Sequence, residues 1–214
     1  MLHAVNFKDD KRVFSCFKEI YLEAFPKAER VPLFLLKRTA KTPRADCFVF
    51  FEDGTSEPVA HANGERAVFN QRGGRSAAGI AYFCHGEGFT YLFFLAVRKD
   101  ARGKNYGSQI LQTAREVFPR RRICLNIEEL NATAADYAMR ARRKKFYEKN
   151  GFAPCGYKVI ENKVVFEMLS YGGDVSYEEY RAMLDACFGK LFSRLYSKFY
   201  AFCDTRPSDG RTPE

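Results

Sequence analysis

The chain has 214 residues, 46% of them hydrophobic, with 21 Phe, 12 Tyr, no Trp and a formal net charge of +9. That supplies apolar material for one compact domain plus an extension and excludes a disordered protein. No apolar run approaches the ~20 residues of a membrane span, and the opening MLHAVNFKDD lacks a signal-type apolar region, so a cytoplasmic protein with no membrane partner is expected.

Taken in chain order, Lys11 to Phe25 sets Val13, Phe14, Phe17, Ile20, Tyr21 and Ala24 on one helical stripe, with Pro26 after its end. A short helix is expected around Pro32 to Arg38. Cys47 to Phe51 and Ala78 to Cys84 read as strands. Between them lies a polar, Gly-bearing insertion, 52–77, read as a surface excursion or a substrate lid. The turn His85-Gly86-Glu87-Gly88 leads into Tyr91 to Val97, a continuous apolar run of the kind buried on both faces. Ile110, Leu111, Ala114, Val117 and Phe118 then recur at helical spacing.

The basic loop between that strand and helix is Arg102-Gly103-Lys104-Asn105-Tyr106-Gly107-Ser108. N–H groups left unpaired at a helix start, with the positive end of its dipole, make a pyrophosphate site, and glycine lets the backbone approach closely. Neither the P-loop nor the Gly-x-Gly-x-x-Gly dinucleotide pattern is present. Downstream, Arg122 to Glu128 reads as a strand, and Arg143 to Phe152 reads as a helix end with an Asn150-Gly151 stop. Gly156 to Ile160 and Val164 to Leu169 form a hairpin around Glu161-Asn162-Lys163. After the break at Tyr171-Gly172-Gly173, Ser176 and Glu179 make a capping box, and Tyr180, Leu184, Phe188, Leu191, Leu195 and Phe199 continue a helical stripe. That stripe is expected to dock within the chain, with sealing of an acceptor pocket or pairing of two copies as a homodimer as the alternatives, and the polar end from Asp204 is expected to fray.

Two of these segments together resemble the GNAT acetyltransferase superfamily. Its cofactor loop runs Arg/Gln-x-x-Gly-x-Gly/Ala after a Val-ended strand; here Arg102 opens it and Gly107 closes it. Asn105 stands at the usual middle glycine, and Asn is the next most tolerant residue for that backbone. RKKFYEKNGF is similar to the family's second motif, in which a Tyr, here Tyr147, precedes a Glu-Lys-x-Gly-Phe ending. The resemblance implies an α/β fold with a mixed, mostly antiparallel central sheet, splayed parallel central strands and flanking helices. It places an acetyltransferase domain over 1–170 and a C-terminal helical extension with a frayed tail over 171–214.

It also implies acetyl-CoA as cofactor and an N-acetyltransferase acting on a primary amine of a small molecule or protein, by direct attack in a ternary complex. Main-chain groups of Leu95, Ala96 and Val97 would flank the pantetheine arm, with the Val97 N–H at the thioester oxygen. Tyr147 would protonate the departing thiolate. Many relatives place a basic Glu in the opening strand, where this chain has Phe93 and Phe94, so Glu128 and Glu129 are the nearest substitutes, to be read as bases or as solvated strand-end charges. Arg140 occupies a helix position that often faces the cofactor and is read as a phosphate contact. Other uses of the scaffold are a CoA-binding regulatory module without turnover and an RNA-associated protein. Clusters such as Arg120 to Arg122 and Arg140 to Lys145 come with no RNA- or DNA-reading motif, so they are assigned to cofactor phosphates and solvated faces. Seven scattered cysteines and three histidines without ligand spacing indicate no metal site.

Overall fold

A computed structural model of the chain describes residues 2–52, 77–161, 164–189 and 200–204. The elements among them are β1 (Leu2–Asn6), α1 (Val13–Ala24), α2 (Leu33–Thr39), β2 (Ala45–Glu52), β3 (Ala77–His85), β4 (Phe89–Val97), α3 (Tyr106–Val117), β5 (Arg122–Glu128), α4 (Tyr137–Lys149), β6 (Ala153–Glu161), β7 (Val164–Tyr171), α5 (Tyr177–Phe188) and β8 (Tyr200–Asp204). Most of the expected insertion, residues 53–76, lies outside the described residues. The described residues form two compact units, those within Met1–Phe83 and Phe93–Val117, and those within Cys84–Leu92 and Phe118–Glu214.

In the first unit the strand order is β1-β2-β3-β4, with β1 antiparallel to β2 from Leu2↔Glu52 to Asn6↔Phe48. The runs CFVFF of β2 and AGIAYFC of β3 are buried continuously, as a strand covered on both faces requires. The core is aromatic. Phe17 and Tyr21, one helical turn apart on α1, have ring centroids 5.6 Å apart. Tyr21 meets Phe94 edge-on at 4.9 Å, and Phe93 reaches Tyr82 at 6.5 Å. Both buried phenols are satisfied, Tyr21 donating to the Val31 carbonyl at 3.1 Å and Tyr82 to that of Leu36 at 2.9 Å.

In the second unit the order is β4-β5-β7-β6-β8. Among the described residues only β4 and β5 run parallel, and their register covers Phe89↔Arg122 to Tyr91↔Cys124. β5 stays paired with antiparallel β7 as far as Glu128↔Phe166, so the parallel partners part after Tyr91 while β5 continues. The expected mixed, mostly antiparallel sheet with splayed central strands is thus observed. The capping box forms at α5, Glu179 N–H donating to Ser176 Oγ while Ser176 N–H donates to the Glu179 carboxylate. α5 ends at Phe188, followed by Gly189 at φ +87°. Residues 190–199, which hold Leu191, Leu195 and Phe199 of the stripe, lie outside the described residues. Tyr200–Asp204 is a strand on β6, from Tyr157↔Asp204 to Glu161↔Tyr200, where sequence reading ended a helix and began a frayed tail. The alternation of Tyr200 and Phe202 with smaller residues suits a strand's period of two. No described helix is long and apolar enough to cross a membrane.

Candidate active site

In the first unit, β4 runs out into the basic loop through a short turn at Lys99–Ala101. Arg98 N–H donates to the Ala78 carbonyl of β3 at 2.8 Å. Strand N–H groups alternate between edges, so those of Val97 and Leu95 turn to the edge of β4 away from β3. Arg102 closes the turn, its N–H on the Lys99 carbonyl at 3.4 Å and its Nε on that of Val97 at 3.2 Å.

Beyond it the backbone takes two left-handed residues, Gly103 at φ +83° and Asn105 at φ +60°. A side chain on Gly103 would meet nothing within 4 Å, so its conformation rather than crowding calls for glycine. Asn105 does in this backbone what a glycine would do, and its carbonyl accepts the Gln109 N–H at 3.2 Å to open α3. The N–H groups of Tyr106, Gly107 and Ser108 fall in the first turn, where no helical carbonyl can reach them. Arg102 through Asn105 are exposed, and no acidic residue sits in the first turn of α3. Cationic, with first-turn N–H groups beyond the reach of a helical carbonyl and with left-handed kinks, this loop fits a pyrophosphate.

Gly79 on β3 makes the geometry of α3 reachable. A Cβ there would lie 2.8 Å from the Ala96 carbonyl oxygen and 3.0 Å from Ile110 Cδ1, so the bare backbone lets α3 and β4 close over β3. Sequence reading did not single it out; a Gly inside a buried apolar run was the available signal. It also missed Glu52, whose carboxylate accepts a bond from Lys104 Nζ at 2.8 Å across 52 positions of chain.

In the second unit, Tyr147 sits on the inner face of α4, buried, and its helix ends in a full Schellman motif. Phe152 N–H donates to the Tyr147 carbonyl at 3.1 Å and Gly151 N–H to that of Glu148 at 2.9 Å, with Gly151 at φ +80°. The Phe152 ring meets the Tyr147 ring at 5.7 Å, the apolar contact that accompanies this cap. Burial pushes the Tyr147 phenol up to about 12, opposed by the Arg143 guanidinium one helical turn away.

Glu128, at the end of β5, is gripped by two arginines of α4: Arg143 Nη1 at 2.5 Å and Arg140 Nη2 at 3.6 Å. Arg140 also donates to Asp136 at 2.8 Å and to the Glu129 carbonyl at 3.1 Å. Its guanidinium thus ties α4 to the end of β5. Glu129 receives Lys158 Nζ at 2.6 Å, and Glu167 receives Lys144 at 2.7 Å. Of the residues singled out in the sequence, Leu95 through Ser108 belong to the first unit, and Glu128, Glu129, Arg140 and Tyr147 to the second. Where a strand-borne base would stand, Phe94 is buried in the aromatic core and the half-buried Phe93 packs against it, their rings 4.7 Å apart.

No curated protein matches the chain in sequence. Among solved structures, an acetyltransferase assigned to the GNAT family from Bacteroides thetaiotaomicron matches with a TM-score of 0.57 at 16% identity, over 88% of this chain and 98% of that one. The ribosomal-protein-S18-alanine N-acetyltransferase of Escherichia coli matches at 0.54 and 14% identity, over 83% and 97%. The aminoglycoside 6'-N-acetyltransferase of Enterococcus faecium matches at 0.51 and 12%, over 80% and 96%. At such identities the likeness establishes the fold. A family model described as an acetyltransferase (GNAT) domain matches residues 47–154, which is 108 of the 214 residues and takes in both the Arg102–Ser108 loop and Tyr147, and the chain therefore belongs to the GNAT acetyltransferase family.

Proposed function

We propose that this GNAT acetyltransferase is an acetyl-CoA-dependent N-acetyltransferase, acting on a primary amine by direct attack in a ternary complex. The observation that supports it most is the left-handed backbone at Gly103 and Asn105 ahead of the first turn of α3. When bound, acetyl-CoA supplies an activated acyl group as a thioester and a thiol leaving group.

The chain's own residues then divide the work. Backbone N–H groups from Gly103 to Ser108, with Arg102 and Lys104, hold the diphosphate. Main-chain groups of Leu95, Ala96 and Val97 receive the pantetheine arm, and the outward Val97 N–H meets the charge that develops on the carbonyl oxygen. Tyr147 gives its proton to the departing sulfur. A phenol at about 12 donating to a thiolate whose acid has the ordinary pKa of ~8.5 is uphill by roughly 5 kcal/mol. The apolar surroundings that raise the phenol raise a thiol in the same way and narrow that gap.

An alkyl ammonium, with a pKa of ~10, must lose a proton before it attacks. Both candidate bases already hold cations. Glu128 has one oxygen on each of two guanidinium groups, while Glu129 is more exposed and has a single Lys158 partner at 2.6 Å, so Glu129 is the freer to take a proton directly or through water.

The test is calorimetric binding of acetyl-CoA together with thiol release over a panel of neutral, anionic and polycationic amines. Micromolar binding with thiol release on at least one amine is expected. Binding without turnover on any amine would make the chain a CoA-binding module, and absence of binding would overturn the cofactor assignment.

A further inference from the structure

The loop assigned to the diphosphate is already touched by an anion of the protein's own. Glu52, the last residue of β2, accepts a bond from Lys104 Nζ at 2.8 Å, and the Tyr106 hydroxyl bonds to the same carboxylate. The Lys104 ammonium also lies 5.7 Å from the centre of the Tyr106 ring. One carboxylate thus gathers two side chains of the loop, one on each side of the left-handed Asn105.

The other cations of this segment are differently engaged. Arg98 holds Asp100 at 2.6 Å, two positions along the chain, and Arg102 turns back to the Val97 carbonyl. Lys104 bonds directly to the carboxylate that β2 delivers, on which Arg98 also acts at longer range. Its bond is also exchangeable, because the two side chains are 51% and 29% exposed and such a pair contributes little in water. The lysine draws the Glu52 carboxyl below its ordinary value, so the carboxylate stays ionised at neutral pH.

We infer that Glu52 is an internal competitor for the cofactor's diphosphate at Lys104, holding the lysine in the free protein and weakening the affinity for acetyl-CoA and CoA alike. The inference rests on the assignment of Arg102–Ser108 as the diphosphate loop. On binding, the diphosphate takes the ammonium, and the carboxylate is left unpaired beside a second anion. That repulsion lowers the affinity for the substrate and the product equally, since both carry the same diphosphate, and it favours release of CoA after transfer. The charge of Glu52, rather than its size, is the active property, so its isosteric amide should relieve the competition while keeping a bond to Lys104.

A double-mutant cycle read by calorimetry tests it, using the full chain, Glu52→Gln, Lys104→Gln and the pair, with CoA as the probe. Glu52→Gln is expected to tighten CoA by about fivefold, a gain of the size of one exposed charge pair, and to give no gain in the Lys104→Gln background. Unchanged or weaker CoA binding in Glu52→Gln, or an equal gain without Lys104, overturns the inference and leaves the cofactor assignment standing. No CoA binding by the unaltered chain overturns both.

Discussion

Tyr147 is held by its backbone as firmly as by its ring: its carbonyl is the acceptor of the Schellman cap, and Phe152 covers its face. Both partners lie within five positions, so the NGF ending was legible from local chemistry alone. The same is true of Asn105, whose φ of +60° follows from a position that ordinarily asks for glycine. The partners of Glu128 and Glu129 were not legible, because α4 offers Glu128 several cations and Lys158 reaches Glu129 from β6, and nothing in the spacing says which meets which carboxylate. Tyr147→Phe is expected to lower kcat by roughly ten- to a hundredfold and leave the acetyl-CoA Kd unchanged, as loss of a general acid does. Equal turnover, with the chemical step shown to limit the rate, would remove the phenol from catalysis. Asn105→Val should raise the CoA Kd by about tenfold, the order of cost for a branched residue in a left-handed backbone, whereas Asn105→Gly should bind as the unaltered chain does. Calorimetry on the two variants separates backbone conformation from a side-chain contact.

Among the elements, α3 depends on a residue outside it. Gly79 gives up its side chain so that Ile110 and the Ala96 carbonyl can approach, and the start of α3 is thereby set where β4 delivers the loop. Gly79→Ala is expected to cost about 1–3 kcal/mol, the range for overpacking, and to weaken CoA binding through displacement of α3; a melting temperature within a degree of the unaltered protein would show that β3 yields instead. α5 is set by local chemistry. Ser176 and Glu179 cap each other, and Glu179 also receives Arg122 at 2.6 Å. Ser176→Ala should destabilise by about 1 kcal/mol, the usual value of an N-cap, in chemical denaturation. The strand β8 shows the limit of periodicity arguments. A five-residue segment that follows a long apolar stripe continues that stripe by habit, and only the free edge of β6 turns it into a strand.

For the whole molecule, titration brackets the pH range of stability. Arg122 beside Glu179 and Arg12 beside Asp10 hold these carboxyls below their ordinary values of 4.5 and 3.8. A carboxyl depressed in the folded state stabilises above its unfolded pKa and loses that contribution as pH falls through the folded one. Burial moves the other way for Cys47, Cys84 and Cys124, raised above the ordinary 9.0, and for Tyr147, raised from 10.0 to about 12. These protons bind more tightly in the folded chain, so stability present below the unfolded pKa is lost as pH rises through the folded value. Thermal melts are therefore expected to be flat between about pH 4.5 and 9 and to fall on both sides; a steady slope through neutrality would contradict this pairing of groups. By itself the sequence determined the order of elements from α1 to α5, the left-handed loop, the C-terminal cap of α4, the N-terminal cap of α5 and the family they mark, because each depends on residues a few positions apart. Tertiary structure alone decided that Phe94 is buried in the core with Phe93 against it, that Glu128 and Glu129 are already paired and that Glu52 reaches Lys104. Those facts depend on which surfaces meet when distant strands and helices pack, and no local spacing encodes them.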